Sequence, residues 1–251
     1  MDRPLFVFLV SFIAMGLATQ AGFALSKWHR GKPEELHDTF GVLQAAALTL
    51  LGLIIAFTFS MAVSRYDQRK NYEEVEANAI GTEYVRIDML PAANAAQLRP
   101  LLLSYLDQRI LFYEARDPSQ LRQIDVRKRQ LQSALWSAVV APATAQQTPV
   151  MALTVAGMND VLNSEGYTQA AWWNRIPLSA WGLTGAIAII CNMLVGYGAP
   201  SLKTAPMLSL ILPLILSISF MLIADIDSPR GGLIKVSPQN LISLSQSLRE
   251  Q

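Results

Sequence analysis

The stretch from Phe40 to Leu90 constrains this chain more than any other. It opens as an apolar run of membrane length, FGVLQAAALTLLGLIIAFTFSMAV, and passes directly into SRYDQRKNYEEVEANAIGTEYVRIDML. Neither proline nor glycine interrupts the join at Ser64 and Arg65. Beyond it the period stays near 3.6. Ile80, Tyr84 and Ile87 share one stripe, and Glu73, Glu74, Glu76 and Glu83 are expected to supply much of the polar surface. Pro91 ends the pattern. A helix from Gly41 to Leu90 would be about 75 Å long, and roughly 30 Å of hydrocarbon covers less than half of it. The rest must stand in water.

Three further apolar runs approach the length needed to cross a bilayer: Leu5–Leu25, Ile176–Val195 and Met207–Ala224. Only 16% of the 251 residues are charged. Of the 20 Lys and Arg, 12 lie between Arg65 and Arg175, with 12 of the 19 acids. The expected architecture is an all-α membrane protein with four transmembrane helices in two hairpins. A helical cytosolic domain is inserted between them, and a long second helix projects from the bilayer. The expected divisions are a first transmembrane hairpin over 1–63, the cytosolic domain over 64–175, a second hairpin over 176–224 and a cytosolic tail over 225–251. The N-terminal run of about 21 residues exceeds a signal-peptide core of roughly 7–15, so it reads as a retained helix rather than a cleaved leader.

Four crossings put both termini and the 64–175 domain on one side. Arg65, Arg69, Lys70, Arg175, Arg230 and Lys235 flank the membrane there, against Lys27, Arg30, Lys32 and Lys203 on the other side. The excess assigns the first side to the cytoplasm, at the cell inner membrane. Gly16, Ala18 and Gly22 in the first run, and Ala45, Thr49, Gly52, Ala56 and Ser60 in the second, make small-residue faces for close helix contact or a narrow pore wall. Gly182 and Ala186 form a similar pair. Trp172 and Trp173 read as interface anchors, Pro142–Pro149 as a loop, and Val150–Leu162 as a short helix stopped near Gly166.

Several chemistries find no support. There is no phosphate loop, dinucleotide fingerprint, HExxH or paired-cysteine motif, so no cofactor, metal or enzymatic activity is expected. Cys191 reads as a small buried hydrophobe, and His29 and His37 as a solvated interfacial pair. A net charge of +1 without a separate basic block gives no reason to expect a nucleic-acid partner. No charge falls inside the apolar runs, which disfavours a charge-coupled transporter.

Around the join stand Phe57, Arg65, Tyr66, Arg69, Glu76, Ala77, Asn78, Ala79 and Tyr84. In this region the sequence resembles the bestrophin-like integral membrane family of bacteria and plants. That family shows a hydrophobic helix, a basic-aromatic segment, an acidic-Ala-Asn motif, a helical soluble region and a closing hairpin. A weaker resemblance reaches true bestrophins, pentameric anion channels whose second membrane helix lines a hydrophobic neck. Their segment Tyr-x-Arg-aromatic-aromatic-x-x-Arg has Ser64-Arg65-Tyr66-Asp67-Gln68-Arg69-Lys70 in its place here. The second aromatic and a pore-side asparagine are absent.

The resemblance implies a homo-oligomer in membrane lipid, a pentamer if the weaker likeness holds, passing small anions along the 40–63 helix. Leu53, Phe57 and Phe59 become candidates for an apolar constriction that gates by dewetting. Arg65 and Arg69 become candidates for a basic ring that concentrates anions. Tyr66, Glu76, Asn78, Tyr84 and Arg86 are expected at helix–helix contacts, with Glu76 and Asn78 capping or pairing with Arg86 or another helix. The alternative is a non-conducting scaffold or regulator whose 64–175 domain binds a partner through an exposed apolar patch.

Overall fold

A computed structural model describes residues 3–28, 35–199 and 207–250, with side chains omitted at 35–39 and 208. The described residues form eight α-helices: α1 (Pro4–Trp28), α2 (Glu35–Arg86), α3 (Ala92–Glu114), α4 (Pro118–Ala145), α5 (Pro149–Trp173), α6 (Leu178–Gly198), α7 (Leu208–Asp227) and α8 (Gln239–Arg249). A 3-10 turn, Ile87–Met89, follows α2. Among the described residues, four helices are long and apolar enough to cross a membrane. The chain is an all-α, multi-pass membrane protein, and its second helix is far longer than a bilayer requires. The links at 29–34 and 200–206 lie outside the described residues, as do His29, Lys203 and the His37 side chain.

The chain divides into two compact units, Met1–Arg65 with Arg175–Lys235, and Tyr66–Asn174 with Val236–Gln251. In the first, α1 packs on α6 and α7. Its buried face is Met15, Ala18, Thr19, Gly22 and Phe23, at helical spacing. A Cβ at Gly22 would overlap the Met193 carbonyl and lie 2.8 Å from that carbonyl carbon. A Cβ at Gly196 would meet Thr19 in the same way, 2.7 Å from its carbonyl carbon. The two glycines let two backbones touch, which suits lipid, where apolar side chains gain little by leaving the solvent. Buried hydroxyls and amides here bond to their own helix: Thr19 to the Met15 carbonyl at 3.0 Å, Thr184 to Ala180 at 2.8 Å and Asn192 to Ala188 at 2.8 Å. Trp181 meets Phe220 edge to face at 6.2 Å, and Cys191 is buried.

The second unit packs the later part of α2 with α3, α4, α5 and α8 around Ile80, Leu98, Leu102, Leu106, Leu135, Met158 and Leu241. Two helix starts use the same device. Asp117 accepts from the Ser119 N–H at 3.0 Å ahead of Pro118, and Thr148 accepts from the Met151 N–H at 3.2 Å ahead of Pro149.

Several sequence expectations are corrected. The short polar loop that the sequence suggests at Glu34–Asp38 is already helical from Glu35. Pro142 lies inside α4, so the expected loop shrinks to Gln146–Thr148. Helix α5 runs past Gly166 to Trp173, because Val161, Glu165, Thr168 and Trp172 continue one buried stripe. Tertiary packing there outweighs the roughly 1 kcal/mol that an internal glycine costs. Trp172 is no interface anchor. It is buried, with its ring 4.9 Å from Phe112 and 5.5 Å from Tyr113. Gly182 and Ala186 are both exposed, and a Cβ at Gly182 would meet nothing within 4 Å.

Candidate functional site: the two parts of the long helix

The membrane part of α2 exposes a broad arc. Ala45, Thr49, Gly52, Ala56 and Ser60 are all exposed, whereas Leu51, Thr58 and Ala62 are buried. Among the four candidate spans this one is the least buried within the chain, 17% of its most apolar window against 44% for α7. Leu53 and Phe57 are 52% and 63% exposed and lie one turn apart, on one face beside the small residues. Phe59 is 39% exposed. Two residues beyond Phe57 it points about 200° around the helix, so the two rings lie on opposite flanks of the arc.

The two candidate arginines have different surroundings. Arg65 is half-buried, with one terminal nitrogen buried and unbonded. Arg69 is 1% exposed, so its guanidinium does not face solvent in the single chain. Tyr66 and Tyr84 are partly buried against the core of the second unit, and Arg99 lies over the Tyr84 ring at 5.7 Å.

Beyond the join, Glu73, Glu76 and Glu83 are buried rather than supplying surface. Glu76 pairs with Arg109 of α3 and accepts hydrogen bonds from Thr168 at 3.2 Å and Tyr113 at 3.4 Å. Arg109 also lies 3.8 Å from Glu165 of α5, which pairs with Lys128 of α4 at 2.7 Å. Two carboxylates and two cations thus form a neutral buried quartet that ties one side chain from each of α2, α3, α4 and α5. Burial raises the Tyr105 and Tyr113 phenols, so both stay protonated beside it. Glu73 accepts the Leu241 N–H at 3.0 Å and the Asn240 amide at 2.6 Å, so it caps the start of α8. Asn78 is exposed. Arg86 is half-buried and donates to the Leu153 carbonyl at 3.5 Å.

Arg109, Lys128 and Glu165 escaped the sequence reading, since nothing local links them to Glu76. Their one signal is that each is a charge set on an apolar helical stripe. In the first unit, Asp225 accepts the N–H groups of Leu233 and Ile234, both at 2.8 Å, and Asp227 accepts that of Ile176 at 3.1 Å. Gly232 is required there, because a Cβ would stand 2.8 Å from the Asp225 carboxyl carbon. Among the described residues no group of three or more His, Cys, Asp or Glu is arranged to hold a metal.

This helical architecture has solved counterparts. A bacterial bestrophin homologue from Klebsiella pneumoniae is 12% identical, superposes with a TM-score of 0.66, and covers 98% of this chain and 97% of its own. A mutant of that homologue matches at 14% identity and TM-score 0.63, covering 98% of both chains. The crystal structure of a membrane protein variant matches at 12% identity and TM-score 0.67, covering 96% of this chain and 97% of its own. At such identities the likeness establishes the fold. No curated protein gives a significant match. The family model described as Bestrophin-like domain matches residues 10–241, nearly the whole chain, and the protein belongs to that family.

Proposed function

We propose that this protein is a homo-oligomeric membrane channel that passes small anions, with the 40–63 part of α2 around the symmetry axis. The observation that carries the reading is the bare arc of α2. An uncharged span with a continuous small-residue face, left 17% buried by its own chain, is suited to close contact with copies of itself. Leu53 and Phe57 then form the apolar constriction, and Phe59, on the other flank, joins the contact between subunits. Arg65 supplies the basic ring above it, and Arg69 serves the packing of α2. Both termini and the 64–175 segment lie in the cytoplasm at the inner membrane, and five copies close the ring as in true bestrophins.

The test is flux from liposomes loaded with chloride, comparing the parent with Phe57→Ala. Opening a dewetting gate raises flux at least several-fold, and Arg65→Gln lowers it. A symmetric assembly that passes no anion in either form would overturn the channel and favour the scaffold reading.

A further inference from the structure

Helices α1 and α6 part over their first halves and leave a groove of about 780 Å³ between them, with α7 beneath. They run parallel, since residues 3–15 and 178–189 line the groove while Gly22 and Gly196 close the contact beyond it. The floor is buried and is made by Met15, Trp181, Ala188 and Phe220. The walls are apolar and exposed, with Phe6 and Val10 on one side and Leu178 and Ile189 on the other. Gly182 and Gly185 of α6 also line it, and a Cβ at either would stand in open space.

Length and charge together identify an occupant. From Arg3 to Met15 the groove descends about 18 Å at 1.5 Å per residue, close to half of a bilayer's roughly 30 Å hydrocarbon core. That is the depth of one leaflet. A helix of another copy would follow the full span, and beyond Met15 the backbone contact at Gly22 and Gly196 leaves it no groove. Inside, the Ser11 hydroxyl donates to the Phe8 carbonyl at 3.1 Å, which leaves the interior apolar. Arg3 stands exposed at the mouth. The acids at the same end are buried and engaged: Asp227 accepts the Ile176 N–H just before α6, and Asp225 accepts those of Leu233 and Ile234. The charge that the mouth presents is positive.

We propose that this groove holds one anionic phospholipid of the leaflet on the N-terminal side, with an acyl chain along α1 and α6 and its phosphate on Arg3. A zwitterionic lipid also brings a phosphate, but its cationic group offsets the attraction of the arginine. The arginine stem lies along the apolar wall, which keeps the guanidinium at headgroup level. An empty groove would forfeit the dispersion contacts of its walls, so a chain that fills it is favoured. The inference rests on the membrane-spanning fold and is independent of conduction.

The experiment reconstitutes the full-length protein in phosphatidylcholine vesicles carrying a minor fraction of brominated lipid, either phosphatidylglycerol or phosphatidylcholine. Bromine on the upper acyl chain quenches Trp181 in the groove, and Trp181→Phe gives the share due to the other tryptophans. Bulk lipid quenches in proportion to its fraction. The site is expected to favour phosphatidylglycerol about fivefold, the effect of one basic residue near the headgroups. Arg3→Gln should abolish that preference, and Gly185→Leu, which fills open space, should weaken quenching by both lipids. Equal quenching by the two lipids in the parent would mean bulk lipid only and would overturn the proposal. So would a preference that persists in Arg3→Gln, or a Trp181 that neither lipid quenches because another copy of the chain covers the groove. The parent's comparison of the two lipids decides the matter even where a variant fails to fold.

Discussion

In its membrane part, residues 40–63, α2 carries no ionisable side chain and leaves an apolar arc open. In its later part the same helix buries Glu73, Glu76 and Glu83. The two units repeat this contrast. Helices α1 and α6 meet backbone to backbone through Gly22 and Gly196, and Thr19 and Asn192 within them bond to their own helix. The second unit joins its helices through ion pairs between different elements and through the Phe112, Tyr113 and Trp172 rings. The solvent accounts for the difference. Lipid rewards close approach and forbids unpaired charge, whereas water drives apolar burial strongly enough to carry a neutral ion quartet into the core.

The sharpest way to break this contrast is Arg109→Met. It strands Glu76 in the core, while Glu165 keeps Lys128, and should cost about 3–5 kcal/mol, read as a fall in denaturant midpoint. The double variant Arg109→Met with Glu76→Met should recover part of the loss, since it removes an uncompensated charge. In the membrane unit, Gly196→Ala should cost about 1–3 kcal/mol, because the methyl meets a helix backbone that yields little. Gly182→Ala, which meets nothing within the chain, is the matched control by thermal unfolding in detergent.

Smaller effects sharpen the picture of the second unit. Glu83 is raised from an ordinary 4.5 to about 8, so the unfolded chain releases this proton first. Its contribution to stability therefore falls as pH rises from about 4.5 through about 8. Glu83→Gln should flatten that slope in denaturation series across pH. Thr148→Ala removes the α5 cap and should cost about 1 kcal/mol, seen as a modest shift in thermal midpoint.

The membrane helices were legible because bilayer thickness sets a length that any apolar run either meets or misses. The contact of α1 through Gly22 was legible as a small-residue face. The buried acids were not, since Glu76 finds Arg109 33 residues away and Glu73 finds Leu241 168 residues away. Helical spacing alone reads such acids as surface. Pro142 and Gly166 misled for a different reason, as local breakers inside helices whose buried faces continue past them. The cap Thr148-Pro149 matched Asp117-Pro118 and was readable, yet the Ala-Thr-Gln composition before it masked the signal. Within the candidate pore, the one-turn spacing of Leu53 and Phe57 was plain. That Arg69 is buried while Arg65 keeps an exposed edge depends on what packs around α2.

The central claim is that the bare arc of α2 meets copies of itself around an axis. Oxidative cross-linking in native membranes tests it directly, with Ala56→Cys introduced into a Cys191→Ser background and Leu9→Cys on exposed α1 as control. The account predicts rapid covalent dimers of chains for Ala56→Cys and none for Leu9→Cys. Equal or greater cross-linking at residue 9, with none at residue 56, would contradict it.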